Sequence, residues 1–413
     1  MKMLKSGLTS AFNDCLLFLM IAMVFLFNFN TDKILGISGN AWVNICILLF
    51  IAWWSINMLK VGLILWNRIY TFAFLFALLC FTSYIYSYAQ SDTLDKVKTI
   101  IVVVWMSICI YQYLVTSGKI DLVLNMYSIS GTLMALYIIV KSNFIVGNRF
   151  GDVVGDANLV GITLALATTI ALYLFFMKHK FIYILQFCCM GYVILLTGSR
   201  TAAVLFLLSV FVLIYISAYT YHWKLQTIAI ITITLGVVVC VLWWAIMTIP
   251  KLYDALGIRI ISFIQISKGQ HSINNERSTQ NRILFAQRAL EWFADSPIWG
   301  NGINSFPSYN NSFFDGRECF SHCNYTELLS GLGILGFITY YGMYIYSLFC
   351  TWKSKNKVAL KYRALVYALI LELLIGDIGL VVYYEKCTWI LIAIIAGMVH
   401  AMNNMESEDM FYG

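Results

Sequence analysis

Long apolar runs separated by short polar connections dominate this chain, and no other feature constrains its fold as strongly. They begin near residues 12, 36, 66, 98, 121, 157, 180, 201, 225, 325, 361 and 386. A helix of about 20 apolar residues crosses the roughly 30 Å hydrocarbon core of a bilayer, and most of these runs are that long. With 61% hydrophobic and 11% charged residues and a mean hydropathy of +0.80, the chain has too little charge for a soluble domain, whose charged share is about a quarter. The expected fold is all-α, a polytopic transmembrane helix bundle of about 12 helices. Residues 181–197 form a short run that fits a tilted or partly re-entrant helix.

Charge sets the expected orientation. Lys2 and Lys5 precede the first run and no small-residue cleavage site follows it, so it reads as a retained helix with a cytoplasmic N-terminus. Lys60, Arg68, Lys119, Lys178, Lys180, Lys224 and the cluster from Lys353 to Arg363 then fall on the cytoplasmic side, as the positive-inside rule requires. The outer loops mix signs: Asp32 with Lys33, Asp92 and Asp95 with Lys96, Arg149 with Asp152 and Asp156. An even number of spans returns the acidic C-terminal tail to the cytoplasm. The net charge of +7 is therefore mostly topology, and its dispersal over short loops argues against nucleic acid as a partner. The eleven cysteines lie mainly inside apolar runs, as in "FCCM" at 187–190, and serve as small apolar residues. Cys319 and Cys323 lie in the outer loop, where their spacing alone does not establish a disulfide.

Three regions follow: a bundle of nine helices over 1–248, a large extracytoplasmic loop over 249–323, and three helices with a cytoplasmic tail over 324–413. The loop is too short for an independent domain and too long for a simple connector, so it is expected to fold back on the bundle. Within it, "TQNRILFAQRALEWFADSP" predicts an amphipathic helix with Ile283, Ala286, Leu290 and Phe293 on its apolar face, ending before Pro297. "WGNGINSF" predicts a turn around Gly300 and Gly302.

No Walker loop, dinucleotide fingerprint, zinc-binding HExxH or Gly-x-Ser-x-Gly elbow is present, so no cofactor or metal is expected. What remains is a set of groups that the topology places on the outer side: Arg149, Arg200, Arg282 and His322. Arg200 opens a helix after a very short outer turn, where Ser199 or Thr201 can cap and the free N–H groups favour an anion. A guanidinium there completes a phosphate site; the plainer alternative is an arginine snorkelling to lipid phosphates. Arg282 sits on an amphipathic helix that would carry exposed charge in any case. His322 is either a base or an ordinary polar helix start, and Glu327, one turn into an apolar helix, favours function because ionisable groups are costly there. Asn324 adds a third polar group. Glu372 and Asp377, in "LELLIGDIGLVV", either pair with an arginine or reach the interface.

In order, "GNRFGDVVGDANLVG", "TGSRTAAV", "NRILFAQRALEWFADSPIWGNGINSF" and "SHCNYTELLSGLGILGF" resemble the O-antigen ligase and Wzy-type polymerase superfamily over about residues 145–340. The family pattern usually has Asn, Ser or Gln directly after the histidine; here Cys323 stands there and Asn324 follows it. The resemblance implies a metal-independent, inverting glycosyltransferase of the bacterial cytoplasmic membrane that acts at its outer face on a polyprenyl-diphosphate-linked oligosaccharide. By motif position, Arg200 and Arg282 correspond to the diphosphate-contacting arginines and His322 to the proposed base, with Glu327 beside it. Arg149, Asn158, Ser199 and Asn324 are expected to contact substrate. A chain-length regulator is a partner consistent with this role.

Polymerase is preferred to ligase, which would transfer the glycan to lipid A core, and the aromatic "FPSYNNSFF" suits sugar stacking. A lipid-linked glycan flippase with Glu372 and Asp377 as coupling carboxylates is a third reading. Against it stand the lack of visible inverted halves and the clustering of polar groups on one face.

Overall fold

The structure is a computed structural model that describes residues 2–28, 33–34, 37–61, 64–142, 155–258, 260–261, 264, 276–311 and 318–412. All twelve apolar runs form helices: α1 (Lys2–Phe27), α2 (Gly39–Val61), α3 (Arg68–Ser83), α4 (Gln90–Ser117), α5 (Ile120–Lys141), α6 (Ala157–Lys178), α7 (Phe181–Leu196), α8 (Arg200–Thr220), α9 (Leu225–Thr248), α12 (Asn324–Lys353), α13 (Lys357–Gly376) and α14 (Lys386–Tyr412). In the long connection between α9 and α12, a short helical stretch, Pro250–Leu252 followed by a π-helical turn Tyr253–Gly257, precedes two longer helices among the described residues, α10 (Glu276–Asp295) and α11 (Phe306–Asn311). The only strands among the described residues are the two-residue pair Lys33–Ile34 and Ile37–Ser38.

Among the described residues nine helices are long and apolar enough to cross a membrane, and α3 and α7 are apolar but only 16 residues each. At 1.5 Å per residue, 16 residues reach about 24 Å, short of a full hydrocarbon core. α6 and α14 form the centre, with most of their length buried, whereas α9 keeps almost its whole surface outward. An all-round apolar helix with no buried face is what lipid contact requires.

Helix α4 starts earlier than hydropathy alone places it. Asp92, Asp95 and Lys96, expected in a loop, lie in its first turns. An acid in the first turn complements the partial positive charge of the helix N-terminus, so the polar stretch extends the helix instead of ending it.

The long connection does fold back on the bundle. Thr93 Oγ1 donates to the Ile303 carbonyl (2.6 Å), the Ile303 N–H donates to Ser83 Oγ (3.2 Å), and Ser308 Oγ donates to Asp92 Oδ2 (2.5 Å). The turn around Gly300 also joins α12 by backbone bonds, Asn301 N to Ser330 O (3.0 Å), Gly302 N to Gly331 O (2.9 Å) and Ile334 N to Pro297 O (2.9 Å). Glycine makes this contact feasible. A Cβ on Gly333 (φ 64°) would come within 2.3 Å of the Ile298 carbonyl oxygen, and one on Gly300 (φ 71°) within 2.4 Å of the Gly331 backbone. "WGNGINSF" and "GLGILG" are thus two halves of one joint.

Helix α10 is amphipathic, as predicted, but its buried face differs. Phe285, Ala289 and Trp292 pack with Phe306, while Ile283 and Leu290 stay 54% and 45% exposed. The helix has two apolar stripes, and the one at i, i+4, i+7 carries the aromatic rings that α11 can cover.

Candidate functional site

The site lies at the end of the bundle where the α7–α8 turn, the long connection and the α13–α14 connection meet. Ser199 is the N-cap of α8, its Oγ accepting from the Ala202 N–H (3.4 Å), and it is 2% exposed. That cap fixes Arg200 at the first position of the helix, half-buried. Arg200 lines an apolar groove of about 610 Å³ whose walls include Leu207 of α8 and Val239 and Trp243 of α9, with Ile378 and Gly379 at its end. Arg282 comes to the same place from α10: its Nη1 donates to the Gly379 carbonyl at 3.5 Å, and its charge acts on Arg200. Two guanidinium groups thus converge at the head of an apolar groove.

His322, on which the Arg282 charge also acts, sits in a tight turn with φ at 56°, in the left-handed region that few non-glycine residues adopt. Polar bonds on either side hold the turn. Ser321 Oγ donates to the Cys323 carbonyl (2.9 Å), and the Ser321 N–H donates to Glu327 Oε2 (2.9 Å). Phe285, one turn after Arg282 on α10, stacks on the imidazole with ring centroids 6.1 Å apart. Burial pushes the His322 pKa below its usual value, the Arg282 charge lowers it further, and Asp156 opposes both. A neutral imidazole at neutral pH can accept a proton.

The structure separates the remaining expected residues by location. Glu327 is 1% exposed and braces the backbone before His322. Asn324 is fully buried, and its amide is saturated: it donates to Tyr341 Oη (3.0 Å) and Asp377 Oδ2 (3.1 Å), and accepts from the Val382 (3.0 Å) and Tyr383 (3.1 Å) N–H groups. Expected to contact substrate, Asn324 instead ties the α13–α14 connection to the start of α12. Ser199, expected in the same role, is occupied as a helix cap. Asn158 lies in the first turn of α6, where its N–H donates to Asp156 Oδ1 (2.7 Å). Arg149 lies outside the described residues. Glu372 Oε1 accepts from Thr169 Oγ1 (2.6 Å) and Asp377 Oδ2 from Tyr341 Oη (2.8 Å), while Glu372 Oε2 and Asp377 Oδ1 are buried with no hydrogen-bond partner among the described residues. Cys319 and Cys323 are free thiols.

Three contributors were missed in sequence. Asp156, the N-cap of α6, acts on His322 through its charge; Phe285 stacks on the imidazole; Gly379 offers its carbonyl to Arg282. Phe285 was within reach, because i and i+3 positions share a helix face. The other two come together only through tertiary packing.

Fold and site together define a multi-pass membrane protein with a cationic, histidine-bearing site at one end of its bundle. A family model described as Wzy_C, O-antigen ligase, matches residues 185–341, the stretch that holds Arg200, Arg282, His322 and Glu327. The resemblance to the O-antigen ligase and Wzy superfamily is borne out over that stretch, while "GNRFGDVVGDANLVG" lies ahead of it. No curated protein matches the chain. The match supports function of the ligase or polymerase type, within a glycosyltransferase-like enzyme family, without separating the two.

Proposed function

We propose that this protein is a Wzy-type oligosaccharide repeat-unit polymerase, an inverting, metal-independent glycosyltransferase at the outer face of a bacterial cytoplasmic membrane with both termini in the cytoplasm. Its donor is a glycan on polyprenyl diphosphate and its acceptor a lipid-linked repeat unit. The observation that carries this reading is Arg200 at the head of the α8–α9 groove, with the Arg282 charge acting on both Arg200 and His322. An apolar groove suits a polyprenyl chain, and the guanidinium groups suit the diphosphate at its end.

In the reaction, an acceptor hydroxyl oxygen attacks the anomeric carbon from the face opposite the diphosphate. Its proton passes to His322. The bond from the anomeric carbon to the diphosphate oxygen breaks, and the electron pair stays on that oxygen, where Arg200 and Arg282 stabilise the charge. Glu327 and Phe285 act as positioning residues, one on the backbone before His322 and one on its ring.

The description of the matching family favours a second reading, transfer to lipid A core. Surface glycan from a deletion strain separates the two. Single repeat units on the usual acceptor support the polymerase, whereas full-length glycan stranded on polyprenyl diphosphate supports the ligase.

A further inference from the structure

The α13–α14 connection joins two cavities. Ile378 and Gly379 line the Arg200 groove, and a few residues later Tyr384 and Glu385 line a second pocket of about 450 Å³ between α2 and α4. We infer that this second pocket binds the phosphorylated head of a second membrane lipid, the lipid-linked acceptor, separately from the donor groove. The inference rests on the polymerase reading above.

The pocket has the two chemistries such a molecule needs. Its apolar side is Leu48 on α2 with Val102 and Val103 on α4, and Leu48 is 53% exposed. Its polar side carries Lys96, Lys98 and Lys386 with the amides of Asn28, Asn40 and Asn44. Lys98 is paired with Asp95 at 2.9 Å. Lys386, only 8% exposed, donates to Asn28 Oδ1 (2.7 Å) and Asn40 Oδ1 (2.8 Å). Among the described residues neither Lys96 nor Lys386 has a carboxylate within ion-pair distance, although Glu385 is near enough for its charge to act on both. Of the groups lining the pocket, Lys96 and Lys386 stand with the single acid Glu385, which also accepts from Asn28 Nδ2 (3.2 Å). The buried Glu327 acts on Lys96 as well, and Asn44, on the exposed face of α2, offers its amide to sugar hydroxyls.

Lys96 also connects the pocket to the candidate catalytic turn. Its ammonium lies 3.3 Å from the centroid of the Tyr384 ring and 5.6 Å from that of Phe320, two residues before His322. A polymerase must hold two lipid diphosphates at once. Like charges repel, so each requires its own cations. The acceptor reacts through a hydroxyl on its glycan and not at its lipid end, which is why its head group belongs in a pocket apart from the arginines.

The test is native mass spectrometry of the purified full-length protein with farnesyl diphosphate as probe. Wild type is expected to bind two equivalents, Lys96→Gln one, Arg200→Gln one, and the double variant none. Retention of both equivalents by Lys96→Gln overturns the assignment, as does displacement of the Lys96-dependent equivalent by an equal concentration of phosphatidylglycerol or of inorganic diphosphate. If Lys96→Gln fails to fold, Asn44→Trp plugs the pocket from an exposed position and is held to the same one-equivalent result. The polymerase reading stands or falls separately, on the surface glycan of the deletion strain.

Discussion

Phe285 and His322 stack with their ring planes 24° apart, so a helix of the long connection and the turn that opens α12 form a single chemical unit. Phe285 is 4% exposed, so the imidazole packs against a buried ring of the connection. The packing of the connection is therefore coupled to the proton affinity of the candidate base.

The first prediction concerns pH. Burial and the Arg282 charge lower the His322 pKa, against Asp156, so the acid limb of the transfer rate should lie below the usual histidine value of about 6.5. Protonation removes the base, and activity falls as pH drops through that limb. Phe285→Leu lets water reach the ring and should move the limb upward; Asp156→Asn removes an attractive charge and should move it downward. Rates measured across pH in membranes check both shifts, and identical limbs in all three proteins would remove His322 from the rate-determining protonation.

Arg200→Ala should weaken use of the diphosphate donor by roughly 10-fold or more, the scale of one charge-assisted hydrogen bond at about 1.5–3 kcal/mol. The half-buried side chain makes a small contribution to folding, so membrane insertion should be normal. Arg200→Lys should recover only part of the loss, because an ammonium keeps the charge but not the planar fork. Donor KM at matched expression is the measurement; an unchanged value in Arg200→Ala would detach this residue from the diphosphate.

Asn324 separates a structural role from a substrate role. Its amide makes four hydrogen bonds in a fully buried position. Asn324→Ala leaves several groups without partners at about 1–3 kcal/mol each, and a lowered thermal midpoint should accompany any loss of activity. A variant as stable as wild type with only a raised acceptor KM would return Asn324 to substrate binding.

What the sequence revealed and what it concealed follow from the range of each interaction. Apolar runs report local burial in lipid, so every membrane helix was legible, down to the short run that becomes α7. Arg200 was legible because a helix start after a tight turn is local too. The buried face of α10 was not, since Phe285 and Ile283 are equally apolar and only contact with His322 and Phe306 chooses between them. The bonds of Asn324 were hidden for a related reason: its partners Tyr341, Asp377, Val382 and Tyr383 come from distant turns of chain. Lys96, six residues after Gln90 at the start of α4, looked like loop charge until the fold set it against Tyr384.

Gly333 tests the joint between the connection and α12. Gly333→Ala combines a left-handed φ of 64° with a Cβ only 2.3 Å from the Ile298 carbonyl oxygen, so the backbone pairing must open. Gly118→Ala has a similar φ of 67° but open space around its Cβ and should cost only about 1–2 kcal/mol of conformational strain. Limited proteolysis should therefore cut the 276–311 region faster in Gly333→Ala and not in Gly118→Ala. Equal protection in both would mean that α10 is held by its aromatic cluster alone.

The decisive substitution is at His322. As a base, it should lose roughly 10²- to 10⁴-fold in turnover on replacement by Ala, the range typical of general acid–base groups, while donor binding persists because Arg200 and Arg282 remain. Alanine also removes the stack on Phe285, so a loss there does not by itself separate proton transfer from positioning. His322→Gln keeps a planar polar side chain able to hydrogen-bond but unable to take up a proton near neutral pH. If His322 only shapes the turn into α12, this variant should transfer glycan at close to the wild-type rate. If His322 takes the acceptor's proton, transfer should collapse about as far as in the Ala variant while lipid-linked donor still binds. Assaying transfer and donor binding side by side, at matched membrane expression, reads the two outcomes apart.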